Sequence, residues 1–312
     1  MAVKTNTVEY INSRAADMQA FVDEYEKKFN AKIEKIAKQV ALSERSEIIM
    51  IAGPSSSGKT TSAKKLRLAL EKRGFTCYTI SLDDFYLNNS DAPRFPDGSP
   101  DFETVDALDI KYFQKTMRSL LEKGEGDLPE FDFLTGMRKK EYNHITVTDR
   151  DVIIVEGLHA LNPVITEGLP ADRLLKIYIN VSTRIYDKNR DMLFNKRNMR
   201  FIRRMVRDYR SRGNSVEDTF RLWISVRYGE DAYLFPYKGN ADIRINTLHL
   251  YETCVLKDEA IKLLSEVSAK SEFYKEAQRL IRNLKRFESI DTDCVPNDSL
   301  LREFIGRREK NG

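Results

Sequence analysis

Residues 53–60 read Gly53-Pro54-Ser55-Ser56-Ser57-Gly58-Lys59-Thr60 and fill every fixed position of the pattern G-x-x-x-x-G-K-[ST]. The glycines let a backbone curl around an anion, and a helix starting at the second glycine aims its free N–H groups at phosphate oxygens. In that arrangement Ser55, Ser56, Ser57 and Thr61 lie along the cradle, Lys59 reaches the β- and γ-phosphates, and the Thr60 hydroxyl ligates Mg²⁺. The expected ligands are therefore ATP and Mg²⁺. Two further places hold acids directly after apolar runs. Val152-Ile153-Ile154-Val155 leads into Glu156, where a second Mg²⁺-directed carboxylate would stand. Cys77–Ile80 leads into Ser81-Leu82-Asp83-Asp84, where one carboxylate could orient an acceptor hydroxyl and take its proton. Neighbouring residues of an extended chain point to opposite sides, so at most one of Asp83 and Asp84 should face such a site.

These groups need elements to hold them. Glu47–Ala52 reads as a buried strand before the loop, and Thr61–Arg73 as a helix with Leu66, Ala69 and Leu70 on one stripe. Strand patterns follow at Phe75–Ile80, Asp151–Val155, Leu174–Ile179 and Ala241–Ile245. Helix patterns stand at Leu108–Glu122, Arg184–Arg212 (closed by Gly213-Asn214), Val216–Tyr228 and Glu252–Arg286. Ala92–Pro100 is a loop, and Phe131–Phe133 with His144–Val147 are two short strands around a turn. Ahead of the first strand, Met18, Val22, Tyr25, Phe29, Ile33, Ile36 and Val40 step along residues 17–42 as one amphipathic helix, placed to pack on the domain or on a partner. Alternating strands and helices predict an α/β fold with a doubly wound, mainly parallel sheet, a helical lid, and added N- and C-terminal helices. The expected division is an extension over 1–46, a core over 47–250 with a basic lid at about 184–228, and a helical segment over 251–312 packed on the core.

Composition narrows the classes. Of 312 residues, 41% are apolar and 32% charged, and no run approaches a membrane span. The N-terminus shows no apolar signal segment, and Cys77, Cys254 and Cys294 are scattered, which points to a reducing cytoplasm. His144, His159 and His249 are too dispersed for a metal site and read as structural. The net charge of +4 is uneven: nine Arg, two Lys and three Asp between Arg184 and Arg212 make +8, leaving −4 elsewhere. Acids at i,i+4 are scarce there, so the segment reads as a lid closing over a triphosphate rather than a solvated helix face. Nucleic acid is the less favoured partner and a small-molecule substrate the favoured one. Self-association is left open. A guanine-reading Asn-Lys-x-Asp element is not completed by Asn195-Lys196-Arg197-Asn198, which argues against a GTP switch.

Taken together, Gly53–Thr61, Asp83-Asp84-Phe85-Tyr86, Asp101–Asp109, Phe131–Arg138, Asp151–Gly157, Arg203–Gly213 and Gly239–Asp242 resemble the uridine kinase and phosphoribulokinase family of P-loop kinases. Gly157–Pro163 and Leu301–Gly306 resemble its nucleoside-kinase branch, whose members often carry a threonyl-tRNA-synthetase-like N-terminal region. The chain is thus expected to be a shortened form or a kinase part of a longer product. The resemblance implies transfer of the ATP γ-phosphate to a nucleoside 5′-hydroxyl. It implies Asp83 as general base, with Lys59, Arg204 and Arg207 catalytic and Arg212 a further lid contact to the phosphates. It also implies Tyr86, Asp106, Phe131, Arg138 and Arg204 around the substrate, with Asp106 on the ribose hydroxyls, and Glu156 beside Thr60 on the metal. One family lid arginine falls on Asn214. Positions where the family reads the base with a tyrosine and a histidine are Phe131 and Gly136 here. Loss of such partners removes discrimination, so the acceptor's base is left open, as is a non-nucleoside sugar.

Overall fold

The computed structural model describes residues 6–43 and 48–308. Glu47 and the expected 46/47 boundary lie outside the described residues. The chain begins with α1 (Val8–Ala15) and α2 (Met18–Ala41), then β1 (Ile48–Ala52), α3 (Lys59–Glu71) and β2 (Cys77–Ser81). Next come α4 (Ile110–Lys123), β3 (Glu125–Leu128), β4 (Phe131–Asp132), β5 (Met137–Arg138), β6 (Asn143–Thr146) and β7 (Val152–Glu156). After α5 (Pro163–Thr166) follow β8 (Leu174–Asn180), β9 (Ile185–Tyr186), β10 (Met192–Phe194), α6 (Lys196–Arg212), α7 (Val216–Gly229) and β11 (Ile243–Asn246). The chain closes with α8 (Glu252–Ser265), α9 (Tyr274–Leu284) and α10 (Arg302–Ile305).

Five strands form one sheet in the order β11-β8-β1-β7-β2, every pair parallel. All residues of β1 are buried because both faces of the sheet are covered, the usual condition of a parallel sheet. Ile49, Ile51, Ile154 and Ile177 pack toward α3 and α2, while Ile48, Met50, Ile153 and Val155 pack toward Phe85, Phe113 and Met117. Each such side chain contributes about 1.5–3 kcal/mol on burial. Register then aims the chemistry: Glu156 pairs with Ile51 on one side and Ser81 on the other. The strand-end acid, the loop after β1 and the acids after β2 therefore emerge together at the carboxyl edge.

The N-terminal helix packs on the domain itself. Phe21, Phe29, Ile33 and Val40 join the core under α3, and Arg73 meets Glu34 at 2.6 Å. The C-terminal segment returns to the same side, where Glu26 accepts the Tyr251 hydroxyl at 2.6 Å.

Two local expectations need correction. The basic helix starts at Lys196 and not at Arg184, because residues 185–194 form the hairpin β9–β10. Asp187 turns that hairpin by accepting the N–H groups of Asn189 and Asp191, and a reciprocal Asn195/Asn198 cap opens the helix. Phe131–Phe133 and His144–Val147 do not pair with each other. Phe131 pairs with Arg138, whereas Asn143–Thr146 pairs with Glu125–Leu128. Gly136, at φ +67°, closes a turn by donating to the Asp132 carbonyl at 2.8 Å, so the chain folds back before reaching 143. The partner strand Glu-Gly-Asp-Leu carries no strand-like composition.

Candidate active site

The loop 53–58 leads into α3 through Gly58 at φ +83°, with Leu300 packed against that glycine. Its three serine carbonyls are held from elsewhere in the fold. Arg200 donates to the Ser55 carbonyl at 3.0 Å, Arg203 to the Ser56 carbonyl at 3.3 Å, and the Thr247 hydroxyl to the Ser57 carbonyl at 2.7 Å. The Ser55 N–H donates to Glu230 at 2.8 Å, and Arg204 donates to the Ser55 hydroxyl at 2.8 Å. The N–H groups of Ser56, Gly58, Lys59 and Thr60 make no backbone bond among the described residues. A loop with the Ser55, Ser56 and Ser57 carbonyls tied outward and four N–H groups free of backbone bonds is preorganised for an anion. The buried Ser56 and Ser57 hydroxyls likewise have no partner, as expected of groups awaiting ligand oxygens.

The loop opens on a hollow of about 280 Å³. Ser55–Thr60 form one wall; Asp83, Tyr86 and Glu156 form the sheet edge; Arg204, Arg207 and Arg212 come from α6. Only one member of the acid doublet faces it, because the Asp84 carboxylate turns away to accept the Phe131 N–H at 3.3 Å. Burial pushes the Asp83 carboxyl above the usual carboxylate range, with Lys59 and Arg212 pulling it back. Glu156 is raised to about 7, first by burial, while Lys59 opposes the shift. The Thr60 hydroxyl lies 3.4 Å from the Glu156 carboxylate.

The arginines divide into two sets. Arg200 and Arg203 are buried and paired with Glu230 at 2.5 Å and Glu252 at 2.6 Å. Arg197 meets Asp231. The acids missing from the basic stretch are thus supplied by distant elements, and only the other set faces the hollow. Arg204, Arg207 and Arg212 share one fully buried carboxylate, Asp208, at 3.1, 2.7 and 3.5 Å. One anion for three guanidiniums leaves positive charge directed at the cavity. Burial and Arg207 lower the Arg204 pKa, although Asp208 opposes the shift.

Several expected site residues stand apart from this wall. Asp106 is exposed in the short turn 105–107, with its N–H on the Thr104 hydroxyl. The acid on the wall is Glu103, three positions earlier, which burial raises to about 7 while Arg204 pulls it down. Phe131 is only 5% exposed and packs edge-on to Tyr86, Phe102 and Phe133. Arg138 pairs with Asp109 and donates to the Tyr86 carbonyl at 3.2 Å, bracing the strand-to-loop junction. The Thr61 hydroxyl donates to Glu303 at 2.6 Å, and Gly53 starts the loop without lining the hollow. No side chain replaces the base-reading group at Gly136, where a Cβ would lie 1.9 Å from the Asn89 amide nitrogen.

Glu103, Glu230 and Glu303 line the hollow without having been anticipated. Glu103 lies within the Asp101–Asp109 motif and could have been weighed beside Asp106. Glu303 lies within the Leu301–Gly306 segment, whereas nothing local marks Glu230; the two reach the loop from 242 and 175 residues away along the chain. His159 and His249 are buried, and burial lowers each to about 4, so both are neutral at pH 7. No group of three metal-ligating side chains occurs among the described residues.

The chain is similar to several known proteins. The uridine kinase of Lactobacillus helveticus (strain DPC 4571) is 28% identical over 201 residues, 64% of this chain and 86% of that one. The uridine kinase of Borrelia hermsii (strain HS1 / DAH) is 32% identical over 201 residues, 64% of this chain and 85% of that one. Among solved structures, a possible uridine kinase from Bacillus stearothermophilus covers 70% of this chain and 99% of its own, at 17% identity and a TM-score of 0.47. The profile of the phosphoribulokinase / uridine kinase family matches residues 48–253, from the first strand of the sheet to the start of α8, and the chain belongs to that family.

Proposed function

We propose that the chain is an ATP-dependent kinase that transfers the γ-phosphate to the 5′-hydroxyl of a nucleoside. The observation that carries this reading is Asp83 lining the same hollow as Lys59 of the phosphate loop and Arg204 of α6, a carboxylate base beside phosphate-binding cations. The relatives named as uridine kinases support a nucleoside as acceptor.

In this reading Asp83 orients the acceptor hydroxyl and takes its proton, so that the O–H bond breaks as the acceptor oxygen forms its bond to the γ-phosphorus. The bond from that phosphorus to the β–γ bridging oxygen breaks, and ADP leaves. Lys59, Arg204 and Arg207 neutralise charge on the transferring group, and Arg212 covers it from the end of α6. Thr60 and Glu156 would be the protein's oxygen donors to Mg²⁺. A neighbouring hydroxyl and carboxylate suit this hard cation, which takes few protein oxygens and completes its shell with phosphates and water. When bound, the ion supplies charge neutralisation at the β- and γ-oxygens. Glu103 and Tyr86 line the hollow on the side taken here for the acceptor's ribose, while Phe131 and Arg138 brace Tyr86 from behind. The three cysteines are free, which supports a reducing cytoplasm. Among the described residues no helix is long and apolar enough to cross a membrane.

ADP release measured across ribonucleosides and sugar alcohols, with and without Mg²⁺, tests the proposal. Turnover that needs a nucleoside supports it. Turnover stimulated by RNA without a small acceptor would sink it in favour of an RNA-associated ATPase. Internal pairing of Arg200 and Arg203 weighs against that rival, since neither is free to meet phosphates.

A further inference from the structure

Against Pro54 of the phosphate loop lies a second hollow of about 460 Å³. Six cations reach its wall and no acid does. Arg197 and Arg200 are already paired with Asp231 and Glu230. Arg184, Lys196, Lys238 and Arg244 have no carboxylate partner among the described residues, and they come from four separate stretches of chain. Like charges converging on one concavity repel unless an anion joins them, and a concave wall focuses their field. The first turn of α6 adds its positive end from the same side.

The rest of the lining is Tyr178 and Phe235, the amides Asn180 and Asn195, and the apolar Pro54 and Val181. Phe235 is partly exposed, with the Lys238 ammonium 5.7 Å from its ring centre, and Tyr178 closes the floor between Asn180 and Arg244. Its volume exceeds that of the reaction hollow, and its cations together with Tyr178 and Phe235 suit a ligand that carries both phosphate groups and a planar ring. We propose that this hollow is a second anion site, separate from the phosphate loop, which takes an organic phosphate of nucleotide size. Arg200 lines it while holding the Ser55 carbonyl, so its occupant is one side chain away from the loop.

Equilibrium dialysis of the full chain with the non-hydrolysable ATP analogue AMP-PNP and Mg²⁺ tests this directly. The wild-type chain should bind two equivalents, and Lys59→Ala should keep the second site. Adding Arg184→Glu and Arg244→Glu to Lys59→Ala should weaken that remaining site at least tenfold, as expected when two phosphate-facing guanidiniums are reversed. In the Arg184→Glu/Arg244→Glu chain alone, one equivalent should remain, with kcat and the KM for ATP unchanged. Both side chains are exposed, so the melting temperature should hold and rule out misfolding as the cause. One equivalent on the wild-type chain, or two on the charge-reversed chain, would overturn the proposal. A raised KM for ATP in the charge-reversed chain would also overturn it, because the hollow would then belong to the donor's own site.

Discussion

Replacing Arg203 by Met tests whether the phosphate loop is held by buried ion pairs. Arg203 and Glu252 have fully buried side chains and meet twice, at 2.6 and 2.9 Å. Methionine leaves the Glu252 carboxylate with the His249 N–H at 3.1 Å as its remaining backbone donor and no counter-charge in this pair. Breaking a buried pair from one side costs about 3–5 kcal/mol. The carbonyls of Ser56 and Thr247 lose a donor in the same step. At about 2 °C per kcal/mol for a chain of this size, the melting temperature should fall by roughly 6–10 °C. The double change Arg203→Met/Glu252→Leu removes both charges and should recover most of that loss, since apolar replacement of a buried pair is often neutral. Its KM for ATP should nevertheless stay raised, because the Ser56 carbonyl still lacks its donor and the loop is no longer held in shape. Urea unfolding and steady-state kinetics on the three chains separate these effects. A single variant costing under about 1 kcal/mol, or a double variant no more stable than the single, would refute the reasoning.

Asp83→Asn should lower kcat by about 10²- to 10⁴-fold while ATP binding persists, and unchanged turnover would move the base elsewhere. Burial raises Glu103 and Glu156 to about 7, so the folded chain holds these two protons more tightly than the unfolded chain. The stability they contribute is full below the ordinary carboxylate pKa and is lost as pH rises through about 7. Glu103→Gln/Glu156→Gln should flatten the dependence seen by urea unfolding between pH 5 and pH 8, and equal slopes in parent and variant would contradict the assignment. Gly136→Ala meets both a left-handed backbone and the Asn89 amide, and should destabilise the chain by about 1–3 kcal/mol in thermal unfolding. A neutral result there would mean the turn relaxes. Glu303→Gln removes a negative charge from the phosphate wall and keeps an acceptor for the Thr61 hydroxyl. Its KM for ATP should fall, and an unchanged or higher value would show that the charge does not oppose the triphosphate.

The parts of this protein legible in its sequence are those in which neighbours along the chain do the work. The phosphate loop is one contiguous segment whose glycines, lysine and threonine act within eight residues. The buried strands, the helix stripes and the acids directly after strands carry their own periodicity and position. The even alternation of these patterns led to the parallel sheet; the expectation that at most one acid of the doublet faces the site matches the lining, although residues 82–85 form a 3-10 turn and not the extended chain that the expectation assumed. Motif order across residues 47–250 pointed to the family.

Tertiary structure decided what depends on partners far apart. The basic stretch has few acids nearby, and only the fold brings Glu230 and Glu252 to Arg200 and Arg203, turning half of an apparent lid into the mount of the loop. Choosing between Glu103 and Asp106 turned on which way a short turn rotates its side chains, which spacing does not encode. Glu303 enters the wall from beyond the family-matching region because the C-terminal segment packs on Gly58. Local sequence fixes backbone conformation through nearest neighbours. Side-chain pairing across the core follows the three-dimensional path, and only folding sets that.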